Sequence, residues 1–394
     1  MATNGSIAEV FFVFLKLGLT SFGGPIAHLG YFRDELVVRR RWVDEAGYAD
    51  LVALCQFLPG PASSQVGFSL GLLRGGGLIA GLAAWFAFTM PSALILVAFA
   101  LGAAAFTGPV AEGMLHGLKL VAVAVVGQAV WGMARTLTPD RRRVAIAFVA
   151  ICLTVFLGGW PGQIGAIVMG ALMGFLLCRE TASMQPDRIR FPVSRRNGLL
   201  ALGLGVVLFL LPSILTSSGA NQSIALFDAF YRSGALVFGG GHVVLPLLQV
   251  EVVAPGWVSN EAFLAGYGIA QAVPGPLFTF AAYLGAVAGP EPNGLSGAAI
   301  ALVAVFLPGM LLVYGMLPFW RAVQAQLTAQ AAMRGANAAV VGILGAALYD
   351  PIWTSTVLSA KDFALALAGF LLLTVWKAQP WTVVVLLAGS SALL

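Results

Sequence analysis

Four cations stand inside otherwise apolar stretches of this chain: Lys16, Lys119, Arg232 and Arg334. An ionisable side chain within a membrane span costs at least about 2.5 kcal/mol on insertion scales, so it is retained for a function. The four form two pairs, because Arg232 follows Lys16 by 216 positions and Arg334 follows Lys119 by 215. Few carboxylates in these stretches could neutralise them: Glu112 is two turns before Lys119, and Asp228 is four residues before Arg232. Two matched pairs of cations suit a doubly charged oxyanion. The alternative is snorkelling to a headgroup, which fits Lys16 and Arg232 best because they lie near segment ends.

The same spacing relates the glycine and proline clusters. Phe22-Gly23-Gly24-Pro25 returns as Phe238-Gly239-Gly240-Gly241, Trp42-Val43 as Trp257-Val258, and Pro59-Gly60-Pro61 as Pro274-Gly275-Pro276. Glycine and proline do not propagate a helix, so each unit carries two matching breaks. Each Pro-Gly-Pro is expected to end one half-helix and begin another, with proline at the first helical position and glycine as its cap. The new N-terminus offers unpaired N–H groups and a positive dipole end to an anion. Ser63, Ser64 and Gln65 follow the first of these breaks and Thr279 follows the second, placing hydroxyl and amide donors in the first turn. The glycine pairs Gly23-Gly24 and Gly239-Gly240, with Gly60 and Gly275, would let backbone approach the anion. Simple kinks and close helix packing are the competing structural readings.

His28, His116 and His242 complete the candidate set, as groups that titrate near neutrality and could couple substrate movement to protons. Asp34, Glu35, Asp44, Glu45 and Asp50 read as solvated partners of neighbouring arginines, with a gate or proton relay as the second reading. The pairing of His116 with Glu112 is too thin for a metal site, and Cys55, Cys152 and Cys178 read as small buried hydrophobes.

Composition sets the solvent these residues work in. Hydrophobic residues make up 59% of the 394 and charged residues 9%, with a mean hydropathy of +0.93. A soluble domain carries about 25% charged residues, so the chain is all-α, polytopic and membrane-embedded. The isoelectric point near 9.3 reflects arginines in loops rather than a nucleic-acid partner. Residues 1–10 lack the basic, cleavable pattern of a signal peptide.

Twelve to thirteen apolar segments follow, at 8–30, 48–73, 77–105, 113–135, 144–157 and 162–178, then 198–216, then 224–249, 262–288, 295–317, 330–348, 362–376 and 380–393. This six-one-six pattern divides the chain into an N-terminal repeat (1–178), a linker with a connecting helix (179–223) and a C-terminal repeat (224–394). One additional crossing between the units inverts the second relative to the first. Arg74, Arg135, Arg141–Arg143 and Arg179, Arg188, Arg190, Arg195 and Arg196 mark the cytoplasmic side. Arg33 and Arg39–Arg41 join them only if the first two segments fold back at their breaks.

The paired Phe-Gly-Gly and Pro-Gly-Pro motifs, with a Trp-Val between them in each half, resemble the long-chain type of the chromate ion transporter family. The likeness spans the whole chain. Two departures stand out: Gly241 at the place of Pro25, and Leu277-Phe278 in place of the polar context after the first Pro-Gly-Pro. The resemblance implies two oppositely oriented halves in the inner membrane and chromate export driven by the proton-motive force. Sulfate, isosteric with chromate, would be the competitor. Import of sulfate or another oxyanion and a passive anion channel stay open as alternatives. No cofactor, metal or catalytic residue is expected, and a homodimer is admitted.

Overall fold

The computed structural model describes residues 5–102, 108–178, 191–217, 219, 221–320, 322 and 326–393. The arginines at 179, 188 and 190, and part of the loop near 106–112, lie outside the described residues. All regular structure among the described residues is helical. Two compact units gather pieces of both repeats. The first comprises Met1–Ala98, Ser183–Gly241 and Pro274–Ala325; the second comprises Phe99–Ala182, His242–Val273 and Gln326–Leu394.

In the first unit, α1 (Ile7–Thr20) begins at Ser6, whose hydroxyl accepts from the Glu9 N–H. The chain turns at Gly23 and re-enters helix as α2 (Gly24–Phe32), with Pro25 in its first turn and a π-helical tail over Arg33–Arg39. That tail comes back to where α1 started, since Arg40 lies 3.9 Å from Glu9. Helix α3 (Glu45–Phe57), capped by Asp44, runs to the first Pro-Gly-Pro, and α4 (Ala62–Gly75) returns from it. At its far end Arg74 pairs with Glu9 at 3.1 Å and lies over the Trp42 ring, while its carbonyl accepts from the Gly5 N–H. Both broken segments are therefore hairpins. Their open ends share Glu9, Arg40, Trp42 and Arg74, and their closed ends hold the glycine breaks. At about 1.5 Å per residue, none of these half-helices is long enough for a hydrocarbon core of about 30 Å.

Helix α5 (Leu78–Gly102) packs on this pair, and a Cβ at Gly18 would sit 2.7 Å from the Phe88 carbonyl. Helix α9 (Arg195–Ser217) exposes Leu199, Leu200, Val206 and Ile214, as a lipid-facing surface requires. Helix α10 (Gln222–Ala235) reproduces α1: Asn221 caps it as Ser6 caps α1, and Gly234 meets the Val305 carbonyl of α14 (Gly294–Met316) as Gly18 meets α5. Helix α13 (Phe280–Val287), entered through a 3-10 turn at Leu277–Thr279, and α14 (Gly294–Met316) complete this unit.

The second unit holds α6 (Pro109–Leu137), α7 (Arg141–Leu157), α8 (Gly159–Leu177), α11 (Val244–Val252), α12 (Asn260–Ala270), α15 (Leu327–Ala347), α16 (Ala360–Thr374) and α17 (Pro380–Leu393). Small residues let these helices touch backbone to backbone, as helices in lipid do. Gly170 and Gly174 of α8 face Gly335 of α15, and Gly117 of α6 faces Ala388 of α17. Six helical stretches are long and apolar enough to cross a membrane: Leu78–Gly102, Pro109–Leu137, Gly159–Leu177, Arg195–Thr216, Gly294–Phe319 and Leu327–Thr356. The remaining apolar segments are shorter or broken.

Candidate functional site

The breaks of the two repeats meet inside the first unit, and they meet reciprocally. The Gly60 N–H donates to the Val237 carbonyl at 2.7 Å, and the Gly275 N–H donates to the Ser21 carbonyl at 2.8 Å. Gly60 and Gly275 are repeat equivalents, as are Ser21 and Val237, so one bond is the image of the other. Their outer faces repeat the exchange. A Cβ on Gly60 would lie 2.9 Å from Gly309, beside Pro308 in α14, and one on Gly275 would lie 2.8 Å from Ser92, beside Pro91 in α5. At Gly241, a Cβ would lie 3.1 Å from the ring of its own equivalent, Pro25. A second proline ring there would crowd the first. That is the physical reason Gly241 departs from the proline pattern.

Glycine is required at both Pro-Gly-Pro sequences, with φ of +120° at Gly60 and +103° at Gly275. The caps differ by one residue from the expected arrangement. Pro61 and Pro276 occupy the cap position itself, and helix begins on the following residue. Glycine as cap with proline in the first turn occurs instead at Gly23-Gly24-Pro25.

The two half-helix tips are chemically unlike. Helix α4 has no side-chain cap, and its first intrahelical bond runs from the Gln65 N–H to the Pro61 carbonyl. The N–H groups of Ala62, Ser63 and Ser64 therefore open from the tip. Ser63, Ser64 and Gln65 are buried there. His28, 1% exposed on α2, places Nδ1 3.4 Å from Ser63 Oγ and its ring edge-on to Phe88. Ser21 Oγ, His28 Nε2, Ser64 Oγ, Gln65 Oε1, Ser69 Oγ and Thr89 Oγ1 are buried without a hydrogen-bond partner among the described residues. Leaving a buried polar group unpaired costs roughly 1–3 kcal/mol, so the unpaired Ser64 hydroxyl and Gln65 amide oxygen in the first turn of α4 are an expensive arrangement unless a ligand completes them. At the second tip, Leu277 and Phe278 are buried, Phe278 packs on Phe306, and Thr279 Oγ1 donates back to the Pro276 carbonyl at 2.7 Å.

The cations are mostly engaged. Lys16 pairs with Glu35 at 3.1 Å, and Glu35, 8% exposed, also takes Arg39 at 3.0 Å and Arg40 at 2.7 Å. Burial alone would raise the Glu35 pKa, but the bonds from Arg40, Lys16 and Arg39 outweigh it and hold the carboxyl down to about 2. Arg232 pairs with Asp228 at 3.3 Å, and Asp228 also accepts from Ser213. In the second unit Arg334 donates to the Cys178 carbonyl at 2.7 Å, at the C-terminal end of α8, where the helix dipole favours a cation. Lys119, on α6, has no hydrogen bond or ion pair among the described residues. His116 meets Asp362 at 2.8 Å, and His242 Nδ1 meets the Tyr267 hydroxyl at 2.7 Å.

The structure thus brings His28, Ser63 and Ser64 together at one tip, close to the Gly60 and Gly275 breaks. Lys16 and Arg232, in the same unit, are turned to carboxylates. Of the loop carboxylates, Asp44 caps α3, Glu45 takes Arg33 at 2.6 Å and Asp50 takes the Trp320 indole, while Glu35 is the buried exception. Sequence reasoning did not single out Ser21, Ser69 or Thr89. Lone hydroxyls in apolar helices are common, and only their unpaired burial separates these from the rest.

The model of the family described as chromate transporter matches residues 8–175 and again 224–393, one match per repeat. The chain belongs to the chromate transporter family. It is 29% identical to the chromate transport protein of Pseudomonas aeruginosa, over 98% of this chain and 92% of that one. A probable chromate transport protein of Synechococcus elongatus is 30% identical, over 80% of this chain and 77% of its own. The chromate transport protein of Cupriavidus metallidurans is 25% identical, over 88% of this chain and 83% of its own. No solved structure matches the chain. Family membership and the apolar helices make this chromate transporter relative a multi-pass membrane protein.

Proposed function

We propose that the protein exports chromate from the cytoplasm, driven by the proton-motive force, and that the anion binds at the tip of α4. The observation that carries this reading is the pair of buried, unpartnered groups, Ser64 Oγ and Gln65 Oε1, beside the open N–H groups of Ala62–Ser64. Ser63 and Ser64 orient oxygens, and Gly60 and Gly275 with Gly23, Gly24, Gly239 and Gly240 shape the backbone around them. Thr279 closes the second tip. Lys16 and Arg232 act through the helices they tie, and Lys119 and Arg334, in the second unit, are the remaining candidate cations. His28 is placed to exchange its Ser63 contact for substrate, and His116 and His242 are the further proton-coupling candidates.

The reciprocal contacts of the breaks support two halves inverted about an axis in the membrane plane, with α9 as the extra crossing and rocking of the repeats alternating access. The arginine-bearing open ends of the hairpins face the cytoplasm in this reading. Outward movement of an anion is then aided by about 2.3 kcal/mol per charge per 100 mV of inside-negative potential. The dry, hydroxyl-lined tip favours a carrier over a wet pore. Labelled chromate uptake into inside-out membrane vesicles tests the reading: saturable uptake that collapses with an uncoupler is expected. Non-saturable flux would make it a channel, and uptake confined to right-side-out vesicles would make it an importer.

A further inference from the structure

Gln65 lies near the start of α4, and the two ends of its amide are unequally satisfied. Its amide is 0% exposed, and Nε2 donates to two carbonyls at once, Pro59 and Gly309, each at 2.9 Å. Two acceptors on one end fix which end carries the nitrogen. Oε1 must therefore face the other way, and it is buried with no partner. An amide oxygen only accepts. Beside a bare oxyanion oxygen it is repulsive, and beside an O–H it completes a hydrogen bond.

Charge points the same way. No charged side chain is among the described hydrogen-bond partners of Ser21, His28, Ser63, Ser64, Gln65, Ser69 or Thr89. The cations nearest these groups along the chain are turned to carboxylates: Lys16, its side chain 51% exposed, to Glu35, Arg33 to Glu45 and Arg74 to Glu9. The cost of drying an ion scales with the square of its charge, so a dianion costs about four times a monoanion in such surroundings. Helix-tip N–H groups and neutral hydroxyls suit the smaller charge.

Resting on the α4 reading above, we propose that the transported species is the singly charged, proton-bearing oxyanion, hydrogen chromate, with Gln65 Oε1 accepting its O–H. This narrows the doubly charged substrate expected from sequence, and it makes sulfate, which keeps no proton at neutral pH, a poor competitor. The titratable groups on the surrounding elements are few. They are His28 and Tyr31 on α2, Glu45, Tyr48, Asp50 and Cys55 on α3, Glu9 and Lys16 on α1, Arg74 at the far end of α4 and Tyr314 on α14; α5 has none. His28 alone contacts the cluster.

The experiment is labelled chromate uptake into inside-out vesicles with the membrane potential imposed and the pH equal on both sides, repeated across the pH range in which chromate itself titrates. The KM for total chromate should stay flat while the anion is protonated, then rise about tenfold per pH unit above its pKa. Sulfate and selenate should inhibit weakly at every pH. In Gln65→Leu, chromate should lose its advantage over sulfate by about tenfold, the worth of one hydrogen bond to a charged group. His28→Gln, which removes a group at the site, should raise KM by one common factor at every pH and leave the slope of the profile unchanged. A flat KM, or sulfate competing on equal terms in the wild type, overturns the proton-bearing substrate while leaving chromate transport in place. A profile abolished by His28→Gln assigns the titration to the protein and overturns it too. Absence of chromate uptake at every pH would instead sink the transport reading beneath it.

Discussion

Ser64→Ala separates a binding role from a structural one, because the two predict opposite signs. Ser64 is 1% exposed and its hydroxyl is unpaired. Removing a buried, unpaired hydroxyl breaks no internal hydrogen bond and relieves a desolvation penalty, so stability should hold or rise by up to about 1–2 kcal/mol. If the hydroxyl donates to a bound anion, the same change forfeits a hydrogen bond to a charged group, worth about 1.5–3 kcal/mol. That corresponds to a KM for chromate about 10- to 150-fold higher. Thermal unfolding of the purified protein in detergent reads the first effect, and uptake into inside-out vesicles reads the second. A variant that unfolds earlier while keeping its wild-type KM would show that Ser64 is an ordinary packing residue, and the α4 site would lose its principal support. Ser69→Ala and Thr89→Val extend the series along α4 and into α5.

The remaining expectations concern the frame around that site. Gly60→Ala forces a side chain into φ +120° and against Gly309 backbone, so a loss of about 2–5 kcal/mol of stability is expected from strain and overpacking together. Gly275→Ala meets a rotatable Ser92 hydroxyl and should be milder in the same unfolding assay. Glu35, ordinarily near 4.5 and held to about 2, contributes stability that is fully present above the unfolded value and lost as pH falls through the folded one. Unfolding followed between pH 4.5 and 2 should therefore show a loss of roughly 2–4 kcal/mol that Glu35→Gln abolishes. Lys119→Ala should abolish chromate tolerance with little change in membrane abundance. Arg334→Ala, which strips a cation from the Cys178 carbonyl, should lower tolerance and also shorten the protein's thermal lifetime.

Much of the architecture was legible in the residues because its signals are local. Gly and Pro interrupt helices wherever they fall, so the breaks at 21–24, 58–61, 236–240 and 271–276 could be placed within a residue or two. Ser6 and Asn221, or Asp44 and Ser259, show why the repeat survives: each pair of caps satisfies the same N–H groups in the two copies. The position of Arg33 and Arg39–Arg41 pointed to hairpins, and the bonds among Glu9, Arg40 and Arg74 close them. What stayed hidden was which polar groups find partners. Lys16 read as an unneutralised charge because Glu35, in a loop by sequence, is carried back to it by the α2 tail. Thr279 read as a donor to substrate, but a 3-10 turn puts the Pro276 carbonyl within its reach.

Taken alone, the order of residues determined that this chain lives in a bilayer, that it is one unit written twice, and where each copy must break, since hydropathy, helix propensity and glycine geometry act over a few residues at a time. The tertiary structure alone decided that Gly60 bonds to Val237 and Gly275 to Ser21, that Gly241 must yield to Pro25, and that one tip is hydroxyl-lined while the other is sealed. Those outcomes depend on which distant segments pack together, and no local propensity encodes the partner of a group some two hundred residues away.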